Sequence, residues 1–388
     1  MVKCYSADYV IPVNGNPIKN GVVEVGEDGV ILGIYSHWQV PSDKQITRLS
    51  GVLIPGFVNA HCHLELSHMK DQIAPKTGLV KFIQSIMSSR DAEDDIVQKA
   101  MKEADELMYA QGIQAVGDHV NRSISSTIKS KSKIVYHTFV EILGLKEEEV
   151  ENKIDEAREI EYYFDPKHSS ITLHAPYSCN RVLFKAFKRS VSDNNIISIH
   201  NQESEEENKL FRYKTGDFLN FYKAIGYPFE SLKLQAKNSL QSYFNLLPNN
   251  KIILVHNTFT SIKDLFFVQR MGKETYFCLC PKANLYIENT LPKLNVFTQA
   301  GVNLVLGTDS LASNNTLSIL EELKVLHNNF KSLDFLETIR WATLNGAQAL
   351  GLEENLGSIE VGKSPGLVLL KNIRNLKLTD KVEAVRIV

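Results

Sequence analysis

Pro55-Gly56-Phe57-Val58-Asn59-Ala60-His61-Cys62-His63-Leu64-Glu65-Leu66-Ser67 is the stretch around which the chain is organised. The residues before it, Val52, Leu53 and Ile54, are of strand type, which puts His61 and His63 at the end of a strand or just past it. Residues two apart on an extended chain project to the same side, so both imidazoles point one way and Cys62 turns away between them. Two neutral imidazoles on one face suit a borderline-soft divalent cation such as zinc. They make half a site. The chain has 11 His, and an accidental His-x-His then arises about 0.3 times per chain of this length, so the pair needs company.

Further apolar runs supply it. Counting the first, the runs are Val52 to His63, Gln114 to Val120, Lys133 to Gly144, Ser170 to Ser178, Ile196 to Glu203, Lys251 to Phe259, Tyr276 to Asn284 and Val302 to Ser310. Between them lie amphipathic helical patterns, such as Ile96, Val97, Ala100, Ala104, Leu107 and Met108 within Glu93 to Gln111. Strands alternating with helices predict parallel β/α units, and eight of them predict an α/β fold closed into a (β/α)8 TIM barrel. A parallel barrel delivers every strand's C-terminal end to one face. His61, His63, His200, His256 and Asp309 all fall at or just past such ends. Any one of them could close its strand with a satisfied hydrogen bond, but together they indicate a shared site.

The two chain ends have a different texture. Tyr9 to Val13, Gly21 to Val25 and Val30 to Ile34 are short strand-like pieces broken by Asn14-Gly15-Asn16-Pro17 and Glu27-Asp28-Gly29, the pattern of antiparallel hairpins. Leu367 to Leu370 and Ala384 to Val388 repeat that character at the far end. Composition is that of an ordinary soluble globular chain with a formal charge of −2, which asks for neither nucleic acid nor a membrane surface. No signal peptide opens the chain and no apolar run reaches membrane-spanning length, so a cytoplasmic protein is the expectation. The 5 cysteines are odd in number and are read as buried thiols.

Pro-Gly-x-x-Asn-Ala-His-x-His, the His-x-x-Glu of His200 to Glu203, a His closing an apolar strand at His256, and Gly307-Thr308-Asp309-Ser310 together resemble the amidohydrolase superfamily. The closest resemblance is to its cytosine, guanine and adenosine-type aminohydrolases and triazine chlorohydrolases, and it covers nearly the whole chain. It implies a barrel over residues 55–354 and a small β-sandwich built from 1–54 and 355–388. It implies one divalent metal ion, zinc ahead of Fe2+ or Mn2+, held by His61, His63, His200 and Asp309. Such a cation lowers the pKa of bound water towards neutrality. By the same resemblance Asp309 is the general base, His256 orients the attacking hydroxide, and Glu203 protonates the ring nitrogen beside the carbon under attack. The strand-four segment Ile171-Thr172-Leu173-His174 has no Lys where binuclear members of the superfamily bridge two metals with one, which implies a mononuclear centre; by the same resemblance His174 matches a substrate-contacting position of the nucleoside deaminases.

The sequence departs from the family pattern in places. His-Cys-His replaces the commoner His-Thr-His, Ala283 stands where a Ser is usual in Cys280-Pro281-Lys282-Ala283-Asn284, and Ser364-Pro365-Gly366 replaces an acidic residue before the late strand. The first leaves the metal face untouched, the second bears on substrate identity, and the third on the sandwich. His63-Leu64-Glu65-Leu66-Ser67 is similar to the aminodeoxyfutalosine deaminases, so a purine-like nucleoside with an altered 5′ substituent is the expected substrate, with Glu65 contacting a ribose hydroxyl. The long segment from Ser204 to Asn250 opens on Glu205-Glu206-Glu207, read as a solvated helix start, and offers Phe211, Arg212, Tyr213 and Phe218 as lid residues. The expected partner is a small molecule, with no nucleic acid or membrane and a homo-oligomer left open. The alternatives are hydrolysis of another C–N or C–Cl bond in a ring, and a noncatalytic binding barrel.

Overall fold

The computed structural model describes residues 2–40, 42, 44–227 and 237–388. Strands β1 (Lys3–Val10), β2 (Ile18–Lys19), β3 (Val22–Val25), β4 (Ile31–Tyr35) and β5 (Ile46–Pro55) come first. Eight more follow: β6 (Phe57–Cys62), β7 (Ile113–Val120), β8 (Val135–Ile142), β9 (Ser169–Leu173), β10 (Ile197–Asn201), β11 (Ile252–His256), β12 (Thr275–Leu279) and β13 (Asn303–Leu306). The chain ends on β14 (Leu367–Lys371) and β15 (Glu383–Arg386).

The middle strands form two parallel four-stranded sheets, β6-β7-β8-β9 and β10-β11-β12-β13, with a helix or helical turn after each strand, a TIM-barrel-like α/β arrangement. Strand β11, Ile-Ile-Leu-Val-His, is buried at every position, as a parallel strand covered on both faces must be. Hydrogen bonds run across both seams between the sheets. His200 N donates to His174 O (3.0 Å) and Ser198 N to Thr172 Oγ1 (3.0 Å), while Thr308 N and Asp309 N both donate to His61 O (3.0 and 3.1 Å). Gly307 permits the second seam: a Cβ there would lie 2.7 Å from His61 Cβ and 2.8 Å from Cys278 Sγ.

The ends join in one seven-stranded mixed sheet, ordered β15-β14-β5-β1-β3-β4 with β2 beside β1, so both termini do meet, as one hydrogen-bonded sheet. It has its own apolar cluster, including Val10, Val23, Ile31, Leu53, Leu367 and Leu369. The run Val52 to His63 is therefore two strands. Pro55 ends the first, and Gly56 turns the chain into the second while its N–H donates to Pro365 O (3.0 Å). Likewise Tyr276 to Asn284 is a strand only to Leu279, because Pro281 starts the helix Pro281–Ile287 from its first turn.

Helix α1 (Leu79–Ser89) and helix α2 (Asp94–Ala110) follow β6. Asp94 and Asp95 begin α2, where the helix dipole favours acids, and it buries Val97, Met101, Ala104 and Met108. Ile96 and Leu107 are exposed: the i, i+4, i+7, i+11 stripe points inward and both lie off its axis. All 5 cysteines are buried free thiols, and no described helix is long and apolar enough to cross a membrane.

Candidate active site

His61 closes the inward face of β6, and neither of its buried ring nitrogens has a hydrogen-bond partner. His63, one alternation on, begins the 3₁₀ turn Leu64–Met69, and its Nε2 lies 3.2 Å from His200 Nε2. Cys62 between them packs in the apolar layer outside the sheet. Asp309 Oδ1 stands 3.4 Å from His61 Nε2 and 3.6 Å from His63 Nε2. These separations bracket the edge of about 3.3 Å expected between donors in a tetrahedron with bonds of about 2.0–2.1 Å. His200 Nδ1–H donates to His174 O (2.8 Å), which leaves the Nε2 lone pair facing the cluster, and Ser313 Oγ donates to Asp309 Oδ2 (2.5 Å), which leaves Oδ1 to face the imidazoles. Four such donors, with His61 otherwise unsatisfied, fit a zinc-class divalent ion.

His256 and Asp309 share a strained feature, φ of 72° and 57°, left-handed conformations that cost a non-glycine residue about 1–3 kcal/mol. The strain turns each side chain inward at the strand's end. His256 Nδ1–H donates to Asn284 Oδ1 (3.1 Å), so its Nε2 faces Glu203 Oε2 at 3.7 Å. Burial lowers the His256 imidazole to about 4, against the opposing pull of Asp309. Burial, with the charge of Asp309 nearby, pushes the Glu203 carboxyl well above its ordinary value. Burial acts in the same sense on Asp309, but contact with His61 and the charges of His256 and His63 outweigh it and hold that carboxyl low. The two acids are thus pushed in opposite directions, Glu203 up and Asp309 down.

Glu203 owes its place to a residue whose expected role was different. Glu207 is fully buried rather than solvated, and accepts Gln202 N–H at Oε1 (3.1 Å) and Glu203 N–H at Oε2 (3.3 Å). The helix Glu205–Tyr213 folds back over the strand end and takes its third acid inside.

A cavity of about 410 Å³ opens above this cluster and is lined by His63, His174, His200, Glu203, His256 and Asp309 at its floor. His174 Nδ1 pairs with Ser178 Oγ (2.8 Å). Apolar walls come from α1, from Leu143 and Leu145 after β8, and from Tyr177, Phe221 and Tyr227. Glu65 does not reach the cavity, because its two oxygens are occupied by the N–H groups of Asn121 (3.0 Å) and Arg122 (3.1 Å). The expected lid residues are placed differently too: Phe211 and Phe218 are buried in packing, Tyr213 points to solvent, and none of these or Arg212 lines the cavity. Residues 228–236 of that long segment lie outside the described residues.

Sequence reasoning missed His119, Glu141 and Asp118. His119 joins His61, His63 and His200 in one group whose nitrogens lie within 4.8 Å. Both its ring nitrogens are engaged, Nδ1 by Glu141 (2.9 Å) and Nε2 by Ser198 Oγ (2.7 Å), so it supports the centre from behind. Asp118 Oδ1 accepts Leu64 N–H (2.7 Å) while Lys129 Nζ lies 2.6 Å from Oδ2, a buried charge pair under the motif. The signal was present: all three sit in the last three positions of an apolar strand, as His256 does.

The chain resembles known proteins over most of its length. It is 28% identical over 358 residues to an adenosine deaminase of Helicobacter pylori, covering 89% of this chain and 84% of that one. It is 27% identical to a 5-methylthioadenosine/S-adenosylhomocysteine deaminase of Pyrococcus furiosus, covering 92% and 86%. In structure it matches the Helicobacter pylori aminofutalosine deaminase in complex with methylthio-coformycin over all of both chains, with a TM-score of 0.83 at 24% identity. Residues 52–387 match the sequence model of the amidohydrolase family, and the chain belongs to that family.

Proposed function

We propose that this protein is a metal-dependent hydrolytic deaminase that replaces the exocyclic amine of a nucleoside-like N-heterocycle by oxygen and releases ammonia. The observation that carries it is the place of Glu203: a carboxyl buried on the floor of a largely apolar cavity, 3.7 Å from His256 Nε2, which burial and the charge of Asp309 push above its ordinary value. His61, His63, His200 and Asp309 are the proposed ligands of one ion, zinc by choice. When bound, that ion supplies the electrostatic activation of water that hydrolysis needs at neutral pH.

Asp309 Oδ1 takes the proton of the attacking water, with Ser313 keeping the carboxylate turned that way. His256, neutral and fixed through Nδ1, offers Nε2 to orient that water. Glu203 gives its proton to the ring nitrogen beside the carbon under attack, which makes that carbon electrophilic; Asp309 then passes the proton it took from water to the amine, which leaves as ammonia, while Glu203 takes one back from the new hydroxyl as the carbonyl forms. His174 lines the cavity floor, where it contacts the heterocycle. The two deaminase relatives support an adenosine-type ring, and an aminodeoxyfutalosine-type 5′ substituent is the substrate proposed first. The architecture proposed with this is a closed barrel over 55–354 and a β-sandwich of 1–54 and 355–388, supported by the seam hydrogen bonds and the separate apolar cluster of the terminal sheet.

Ammonia release by zinc-loaded protein over adenine nucleosides, aminated bases and aminated triazines, with Asp309→Ala as the blank, is the test. Turnover should fall by about 10²–10⁴-fold in Glu203→Gln. Turnover of an amine-bearing ring that survives Glu203→Gln would refute the role of ring protonation and favour hydrolysis of another leaving group.

A further inference from the structure

Glu203 follows a residue whose polar groups are all engaged. Gln202 is fully buried and does not line the cavity. Its backbone is left-handed, φ 44°, a conformation that a residue with a side chain keeps only where its surroundings enforce it. Those surroundings are three separate elements. From the helix Glu205–Tyr213, Glu207 Oε1 accepts Gln202 N–H and Asn208 Oδ1 accepts Gln202 Nε2–H (3.2 Å). From the loop after β11, Phe259 N–H donates to Gln202 O (2.9 Å) and the Thr260 hydroxyl donates to Gln202 Oε1 (2.7 Å). From the helix Ile262–Arg270, Asp264 Oδ2 takes the second Nε2–H at 3.4 Å.

The anchors are themselves fixed. Asp264 Oδ2 also accepts Ser261 N–H (3.1 Å) and Oγ–H (2.7 Å), while its Oδ1 accepts from Asn238 and Gln241 on the returning arm of the long segment. Asn208 Oδ1 accepts Ser239 N–H (3.3 Å) from the same arm. A buried amide bonded at both ends to different elements resists displacement, because each lost bond leaves an unpaired group in the interior. Gln202 stands between two functional residues with unequal support. His200 has its own anchors, its N–H and its Nδ1–H both donating to His174 O (3.0 and 2.8 Å). Among the described residues no hydrogen bond holds the Glu203 carboxyl, which lies 3.7 Å from His256 Nε2. Its aim therefore comes from its backbone.

We propose that Gln202 is the positioning residue of the proton donor: it sets the aim of Glu203 and leaves the metal ligands undisturbed. This rests on the deaminase reading, in which Glu203 protonates the ring nitrogen, and it makes kcat, rather than KM or metal affinity, the quantity that depends on the lock around Gln202.

Gln202→Met keeps the length of the side chain and removes its bonds to Thr260, Asn208 and Asp264. Thr260→Val removes one bond from the far side and serves where the first variant folds poorly. In ammonia release from an adenine nucleoside by zinc-loaded protein, kcat should fall by about 10–100-fold in Gln202→Met and by less in Thr260→Val. KM, and metal affinity by chelator competition, should stay within about twofold. A double-mutant cycle separates aiming from support of the fold. In the Glu203→Gln background, where there is no proton to aim, Gln202→Met should cost less than about twofold. An equal cost in the two backgrounds, a rise in KM with kcat unchanged, or metal affinity falling in step with kcat overturns the assignment. Amide hydrogen exchange gives a readout without turnover. The Glu203 N–H should exchange at least about tenfold faster in Gln202→Met while the His200 N–H keeps its rate, and an unchanged rate at Glu203 also overturns the assignment. No ammonia from the unmodified protein on any amine-bearing ring overturns the deaminase reading, and the exchange rates then decide alone whether Gln202 holds Glu203.

Discussion

Replacing Lys129 by Met tests the support beneath the metal motif. Lys129 and Asp118 side chains are 5% and 0% exposed, and the ammonium lies 2.6 Å from Asp118 Oδ2. The methionine fills similar volume beside Phe164, so the loss is chiefly of charge and leaves Asp118 buried without a counterion. Breaking a buried pair from one side costs about 3–5 kcal/mol. Unfolding entropy of about 2.1 cal/mol/K per residue over 388 residues gives about 0.8 kcal/mol/K, so Tm should fall by about 4–6 °C. Asp118 Oδ1 also holds the N–H of Leu64, the residue after His63, so metal affinity should weaken by about 10–100-fold in a chelator competition. Adding Asp118→Asn to Lys129→Met keeps an acceptor for Leu64 and removes the stranded charge, and most of the lost Tm should return. The reasoning fails if Lys129→Met shifts Tm by less than about 1 °C, or if the double variant is no more stable than the single one.

Two further predictions concern regions away from the site. His137 lies 3% exposed with Nδ1 unpartnered, and burial lowers it to about 3. The unfolded chain then binds the extra proton below about 6.5, so stability is complete above that pH and is lost as pH falls, by about 2 kcal/mol between 6.5 and 5. Urea unfolding of His137→Gln should show that much less acid sensitivity, and equal sensitivity would show that His137 is not held neutral. Gly112 joins α2 to β7 at φ +90°, and a Cβ there would lie 2.4 Å from Val368 Cγ2 of the terminal sheet. Gly112→Ala should cost at least about 1–3 kcal/mol, only the steric part of which Val368→Ala restores. A neutral Gly112→Ala would mean that the two sheets do not meet so closely.

The central features of the site were legible because a parallel strand of buried residues can end on a polar side chain only for a reason. His61, His63, His200, His256 and Asp309 each interrupt an apolar run, and the structure brings them to one cluster. The same rule applied to Gln114 to Val120 and Lys133 to Gly144 also raises Asp118, His119 and Glu141, which belong to none of the sequence motifs. What the sequence hid was which partner a polar residue chooses. In a linear reading Glu65 is a substrate contact and Glu207 a solvated helix start, yet each spends both oxygens on N–H groups of neighbouring loops. Those N–H groups belong to chain reversals at strand ends, where no strand partner exists, and an unpaired buried N–H costs enough to draw a carboxylate inside.

That preference explains why the turn Leu64–Met69 carries so much of the site's geometry. His63 enters it, Asp118 caps its first N–H, Glu65 ties it to the loop after β7, and His68 ties it to the end of α1. A shift of this turn therefore moves a metal-facing imidazole and the Arg90 wall together. The proposed metal site at the floor and the cavity wall at Arg90 and Asn121 are linked through the six residues of one turn, so Glu65→Ala should weaken metal affinity and raise KM at once. A raised KM with metal affinity unchanged would show that the two ends are built independently.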